Sequence, residues 1–404
     1  MIKNIKVKKI FNSRKEPTIE VSLKTENGVF KASVPSGAST GEREAVALDA
    51  EKAMVNVNNI IASKLLEEEE INQGEIDKIM IDCDGTENKS KLGANAILAV
   101  SLAVCRAGAA ARKMPLYKYI KNPRSDLGKF LPEVGPRVSI SFPRPCFNII
   151  NGGAHARNNL EIQEFMVIPD YDNFSDNLKI GKKVFNNLKK ILEKKFGKKG
   201  VEIGDEGGFA PPIENDKKSL DYISEAIGSF KVKIGLDCAA SQFYSAGNYN
   251  IDNKALSQKQ LLSFYKELIN QYPIIFIEDP FSEDDWPGWQ EITKDLGRRI
   301  NVIGDDFLTT NIKRIERAKQ EEACNGTIIK PNQIGTVTET LAAIKLARSY
   351  GWKIMVSHRS GETMDDFIAD LAVGAGADFI KSGAPSKPER LIKYKRLVKI
   401  EKYG

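Results

Sequence analysis

Histidine is almost missing from this chain: His155 and His358 are the only two among 404 residues. So few imidazoles are either incidental or stand where no other side chain serves, and composition by itself does not choose. Cysteine is scarce as well. The five, Cys83, Cys105, Cys146, Cys238 and Cys324, are odd in number and lack CxxC spacing, which argues against a zinc ribbon. Cys105 and Cys238 lie within apolar runs, as small buried thiols do, and this usage fits a reducing cytoplasm. Neither charge dominates. Lysine and arginine total 60 against 54 acids, and the resulting +6 over this length does not call for nucleic acid or another polyanion. Long apolar runs are missing too: AILAVSLAVC at 96–105 is about half a membrane span and is followed by Arg106, which predicts a buried helix and no membrane. The opening MIKNIKVKKIF alternates as a strand does and lacks the apolar core and cleavage site of a signal peptide.

What is present is ample core material, with 41% hydrophobic and 28% charged residues, the balance of a globular protein. The length suits one (β/α)₈ barrel of about 250 residues together with one smaller domain. Residues 2–10 and 18–23 alternate as strands, ahead of VPSGASTG at 34–41, a loop too rich in glycine and serine to be regular. Apolar residues recur at helical spacing over 43–66 and 92–112, so residues 1–125 read as a small α+β domain. KNPRSDLGKFLPEVGPR at 121–137 reads as a linker, and 138–404 as the second domain.

In that second part short β-rich runs alternate with helical stretches: 164–168, 201–204, 233–237, 273–279, 301–306, 327–330, 353–358 and 378–381. From Asp237 onward the charged residues ending these runs are separated by 41, 27, 25, 28 and 23 residues, close to one βα unit each. About eight such units predict a parallel sheet closed into a barrel. The runs end on Glu206, Asp237, Glu278, Asp305, Lys330, His358 and Lys381. In a barrel all these ends open onto one face, where seven ionisable groups would be untenable without a ligand or metal.

Asp237, Glu278 and Asp305 end successive strands with neither histidine nor cysteine among them. All-oxygen ligation with room for water or substrate suits Mg²⁺ better than Zn²⁺ or a calcium cage. Salt bridging to Lys330 and Lys381 across the mouth would also explain the charges, though not their shared position. Lysines beside a divalent cation are expected to have depressed pKa values, and a neutral lysine is a competent base. Glu206, in GDEGG at 204–208, is expected to be raised by burial and so able to donate a proton to a leaving group.

Eleven segments carry a resemblance that spans nearly the whole chain: VPSGASTG, DGTENKSKLGANAILAVS (84–101), NIINGGAHA (148–156), QEF (163–165), GDEGG, GLDCAAS (235–241), IEDPF (277–281), GDD (304–306), KPNQIGT (330–336), SHRSGET (357–363) and IKSGAP (380–385). In this order they resemble the enolase family. The resemblance implies an enolase-variant α/β barrel and the Mg²⁺-dependent dehydration of 2-phosphoglycerate to phosphoenolpyruvate in glycolysis and gluconeogenesis, in the cytoplasm. It implies that Asp237, Glu278 and Asp305 bind a first Mg²⁺, that Lys330 removes the C2 proton, and that Lys381 helps stabilise the charge that develops. Glu206 resembles the acid at the C3 hydroxyl, assisted by Glu164, and Gln163 a substrate contact. Arg359 and Ser360 resemble the phosphate site. Ser39, flanked by Gly37 and Gly41, resembles a ligand of a second Mg²⁺ brought in when its loop closes, and by itself SGASTG also reads as a plain surface loop. His155 resembles a loop histidine that closes over substrate, and His358 a catalytic-pocket residue beside Arg359.

The chain departs from the family pattern in three places. NSRKEPT at 12–18 stands for DSRGNPT and loses a turn glycine, in a region far from the chemistry in sequence; Gln242 replaces a glutamate; and the C-terminus is short. The family is at least dimeric, and Lys8 with Glu389 and Glu20 with Lys399 resemble its intersubunit pairs, or else are ordinary surface charges. Lys231-Val232-Lys233 superficially resembles the K-x-K of racemases and cycloisomerases in the same superfamily, but these lysines begin the strand that Asp237 ends. The basic stretch 182–200 reads as a solvated outer helix or as a polyanion-binding surface.

Overall fold

The computed structural model describes residues 1–37, 43–66, 68, 71–122, 127 and 141–404. Ser39, Gly41 and most of the expected linker lie outside the described residues. The chain opens with an antiparallel meander, β1 (Ile2–Phe11), β2 (Pro17–Thr25) and β3 (Gly28–Ser33), in the order β1-β2-β3. Ile19, Val21 and Leu23 alternate onto one buried face of β2, which packs against the helix Ala94–Ala111. The apolar run at 96–105 is thus part of an 18-residue helix, long and apolar enough by length and composition to cross a membrane but mostly buried inside the protein. Its remaining surface meets the second domain, where Ser101 Oγ accepts the Val337 N–H at 2.9 Å.

Eight strands close the barrel: β4 (Arg144–Asn151), β5 (Glu164–Pro169), β6 (Val232–Asp237), then, after a small three-stranded sheet β7 (Tyr244–Ser245), β8 (Asn248–Ile251) and β9 (Lys254–Leu256), the strands β10 (Ile274–Glu278), β11 (Asn301–Gly304), β12 (Gly326–Ile329), β13 (Lys353–Ser357) and β14 (Phe379–Lys381). The circular order is β10-β11-β12-β13-β14-β4-β5-β6. Two expectations need correcting. The run at 201–204 is not a barrel strand: Ile203 makes only an isolated bridge with Phe209, and β4 supplies the eighth strand instead. Nor is the sheet wholly parallel, because β5 pairs antiparallel with both β4 and β6. The short β4–β5 connection, only a 3₁₀ turn at Gly153–His155 within it, has no helix to carry the chain back, so β5 must run the other way.

Inside the barrel Cys146, Met166, Ile168, Phe276, Ile303, Ile328, Met355 and Phe379 form a separate apolar layer. Gly235 makes room for it, since a Cβ there would lie 2.1 Å from the Phe276 ring. This plug closes the barrel below the rim on which the polar residues gather.

Candidate active site

Strand register brings the carboxylates together. Glu164 begins β5, Asp237 ends β6 and Glu278 ends β10, and they are direct partners: Glu164 with Asp237, Asp237 with Glu278. Because β5 is reversed, its first residue reaches the same rim as the last residues of its neighbours. Asp305 and Lys330 follow β11 and β12, His358 follows β13, and Lys381 ends β14. All of these but the fully buried Glu278 line a cleft of about 440 Å³, together with Gly37, His155, Gln163, Glu206, Arg359 and Ser360. Glu206 is not at a strand end as expected. It lies on a loop strapped to β4 by Phe209 N–H to Ile149 O and Asn151 N–H to Phe209 O, at 2.9 and 2.8 Å.

Lys381 crosses the mouth. Its Nζ lies 3.0 Å from Glu164, 2.8 Å from Asp237 and 2.9 Å from Glu278. Asp305 is held apart from this cluster, by the Lys330 ammonium on Oδ2 and by Gln333 Nε2 at 3.1 Å on Oδ1. The expected depression of the two lysines is reversed in the chain itself. Burial pulls Lys330 and Lys381 down, but Asp305 together with Asp306 outweighs it for Lys330, and Asp237, Glu164 and Glu278 together outweigh it for Lys381, so both are raised. Salt bridging across the mouth is therefore real. Glu278 is nevertheless pushed well above the carboxylate range, by burial and then by Asp237, so one ammonium does not neutralise the cluster. Asp305, Asp306 and Asp279 also converge, with ligand oxygens within 4.8 Å of one another. This excess of buried oxygen ligands fits a hard dication.

On the opposite side His155, Glu164 and Glu206 form a second group. His155 Nδ1 lies 3.5 Å from Glu164 and 3.8 Å from Glu206. Glu164 is raised to about 7 by burial and by Glu206. Glu206 moves the other way from expectation: burial would raise it, but His358, His155 and Arg390 hold it well below the usual range. His358 itself is pushed down to about 4 by burial, so it stands beside Glu206 as a neutral ring, with Nε2 3.2 Å from the carboxylate but in no aligned hydrogen bond. The two carboxyls are thus pushed in opposite directions and titrate as a pair. Asn148, which the sequence reading did not single out, donates to Glu206 at 3.1 Å.

Arg359 presents its guanidinium to Glu44 of the first domain, at 2.8 and 3.2 Å, and lies beside Ser360, whose buried hydroxyl has no partner among the described residues. The turn at 12–16 is far from the site only in sequence. Ser13 Oγ donates to Ser360 O at 3.2 Å, Arg14 lies 3.4 Å from Asp205, and Ser36 exchanges backbone hydrogen bonds with Gly361 at 2.9 Å. Gln242 accepts from Ala154 N–H at 3.0 Å and donates to Gln163, whose own amide faces Asp237 at 3.4 Å. Glu44 and Arg390 carried no signal in the sequence, because neither ends a strand nor stands in a glycine-rich loop.

A closed eight-stranded barrel with one reversed strand, capped by a small α+β domain and carrying lysines and carboxylates on one rim, defines an α/β-barrel enzyme. Residues 139–403 match the family model described as the enolase C-terminal TIM barrel domain, and residues 2–120 match the enolase N-terminal domain. The chain belongs to the enolase family and is a lyase of the enolase type, whose reaction is the dehydration of 2-phosphoglycerate.

Proposed function

We propose that this chain interconverts 2-phosphoglycerate and phosphoenolpyruvate with Lys330 as the base at C2 and the Glu164–Glu206 pair as the acid at the C3 hydroxyl. The observation that carries the reading is their opposition. In the circular order β12 and β5 stand four strands apart, so Lys330 and the carboxyl pair face each other across the cleft. Lys330 Nζ takes the proton from C2, the C2–H electron pair becomes the C2=C3 bond, and the C3–O bond breaks as the pair delivers its proton to form water. The reverse reaction begins with Lys330 protonated, the state its contact with Asp305 favours.

Asp237, Glu278 and Asp305, at successive strand ends on the rim, would hold Mg²⁺, on which the family depends, and Ser39 a second ion. When bound, magnesium supplies positive charge beside the substrate carboxylate. Lys381 adds its own charge there, Gln163 orients the bound substrate, and Arg359 with the unpartnered Ser360 hydroxyl takes the phosphate. His155 and His358 orient the carboxyl pair. We further propose a cytoplasmic setting, in keeping with five free thiols. A homo-oligomer through Lys8, Glu20, Glu389 and Lys399 is also proposed; Lys8 and Glu20 already pair within the chain at 2.9 Å, and unchanged sedimentation of their alanine variants would count against that contact.

The decisive assay follows the ultraviolet absorbance of phosphoenolpyruvate from 2-phosphoglycerate and Mg²⁺, with and without EDTA; folded protein that yields no product sinks the reading. Lys330→Ala should abolish solvent exchange of the C2 proton, while Glu206→Gln keeps exchange and loses about 10²–10⁴-fold in dehydration. Loss of exchange in Glu206→Gln would reverse the two roles.

A further inference from the structure

Arg390 is fully buried, yet among the described residues no carboxylate lies within ion-pair distance of it. Its two terminal nitrogens meet other acceptors, while Nε has no partner among the described residues. Nη1 meets His358 Nδ1 and donates to Arg359 O at 2.6 Å; Nη2 donates to Ser360 O at 2.5 Å and to Asp205 O at 3.4 Å. Room is made for it by Gly383, at φ +73°, where a Cβ would lie 3.0 Å from Arg390 Cδ and 2.7 Å from Glu206 O. A buried cation without a counter-ion is costly, and simple anchoring of the C-terminal helix Pro388–Tyr403 does not require one in this place. Lys393, one turn further on, anchors that helix by donating to Glu362 and to the carbonyls of Thr363 and Glu389.

The chemistry of the contact has a definite consequence. An arginine only donates, so His358 Nδ1 must accept from it, and the ring proton must sit on Nε2. That nitrogen lies 3.2 Å from Glu206 Oε2. We infer that Arg390 is a positioning residue for the proposed dehydration: it holds His358 as the neutral Nε2–H tautomer beside Glu206, and in the same grip fixes the Arg359–Ser360 backbone and the Glu206 loop. His358 is then a neutral ring whose N–H lies on the Glu206 side, and not a proton carrier, because protonating Nδ1 would turn an N–H toward the guanidinium.

The inference rests on the proposed reaction for its kinetic part only; the tautomer is read on the protein alone. With two histidines in the chain, [¹⁵N]histidine labelling gives a long-range nitrogen–proton spectrum of two imidazoles, which His155→Gln assigns. Wild-type His358 should carry its proton on Nε2 alone at pH 7. Arg390→Met should mix the tautomers and lower kcat about tenfold or more, with Arg390→Lys restoring the tautomer and part of kcat, and Lys393→Met leaving the tautomer unchanged. An Nδ1–H or doubly protonated His358 in the wild type overturns the inference, and so does a folded Arg390→Met with wild-type tautomer and kcat. Should Arg390→Met fail to fold, the wild-type spectrum and Arg390→Lys decide. The expected tautomers in a protein that makes no phosphoenolpyruvate would refute the proposed reaction and leave the grip standing.

Discussion

Lys15 holds φ at +63°, in the left-handed region that costs a side-chain-bearing residue about 1 kcal/mol more than glycine. The turn survives because Asn12 Oδ1 accepts the N–H groups of Arg14 and Glu16, at 2.9 and 3.0 Å, and the Lys15 N–H bonds to Asn12 O at 3.0 Å. Lys15→Gly should therefore raise stability by up to about 1 kcal/mol, read as a higher urea midpoint at unchanged slope. A lower midpoint would mean that the lysine side chain contributes more than the strain removes. The lost glycine was legible in NSRKEPT, but its consequence was not, because docking of this turn on Ser360 and Glu362 joins residues some 350 apart in sequence. Proton placement in the Glu164–Glu206 pair was illegible for the same reason. It depends on Arg390, His358 and Asn148, which arrive from separate strands and helices.

At the scale of elements, the spacing of charged strand ends made Asp237, Glu278, Asp305, Lys330, His358 and Lys381 readable, since each βα unit returns the chain to the same rim. Direction was not readable for β5: the apolar run EFMVI at 164–168 reads alike in either sense, and only the short connection from β4 fixes its reversal. The helix Gln73–Asp84 was missed, its apolar residues being few, and it carries a buried acid against the barrel domain. Asp77 accepts from Thr338 N–H at 3.1 Å and Gln73 at 2.9 Å, and burial raises its pKa from 3.8 to about 6. A raised folded-state pKa gives stability that is full below the unfolded value and lost as pH rises through about 6. The helix should accordingly be protected more at pH 5 than at pH 8, by up to about 1.5 kcal/mol, in hydrogen exchange corrected for intrinsic rates. Equal or greater protection at pH 8 would show that Asp77 stays charged at no cost.

For the whole molecule, the cleft is finished only when the first domain sits on the barrel. Ser13, Arg14, Ser36 and Glu44 all bear on the segment 357–363 or the Glu206 loop, so the position of one domain sets the polar geometry of the other. The principal clamp is Arg106, on the helix Ala94–Ala111, which forks onto Asp365 at 2.7 and 2.8 Å and reaches Asp366 at 3.3 Å. Burial would raise Asp365, but Arg106 overrides it and holds it low, so this contribution is present above the ordinary carboxylate range and is lost as pH falls through the lowered value. Removing one partner of a mostly buried pair leaves the other charge uncompensated, at a cost of about 3 kcal/mol. Arg106→Met should therefore split the calorimetric transition, the first domain unfolding at lower temperature, and should raise KM for 2-phosphoglycerate as Glu44 loses its register on Arg359. A single transition at the wild-type midpoint would mean that the domains are coupled through their apolar contact, with the helix Ala94–Ala111 supplying the docking energy and Arg106 only its orientation.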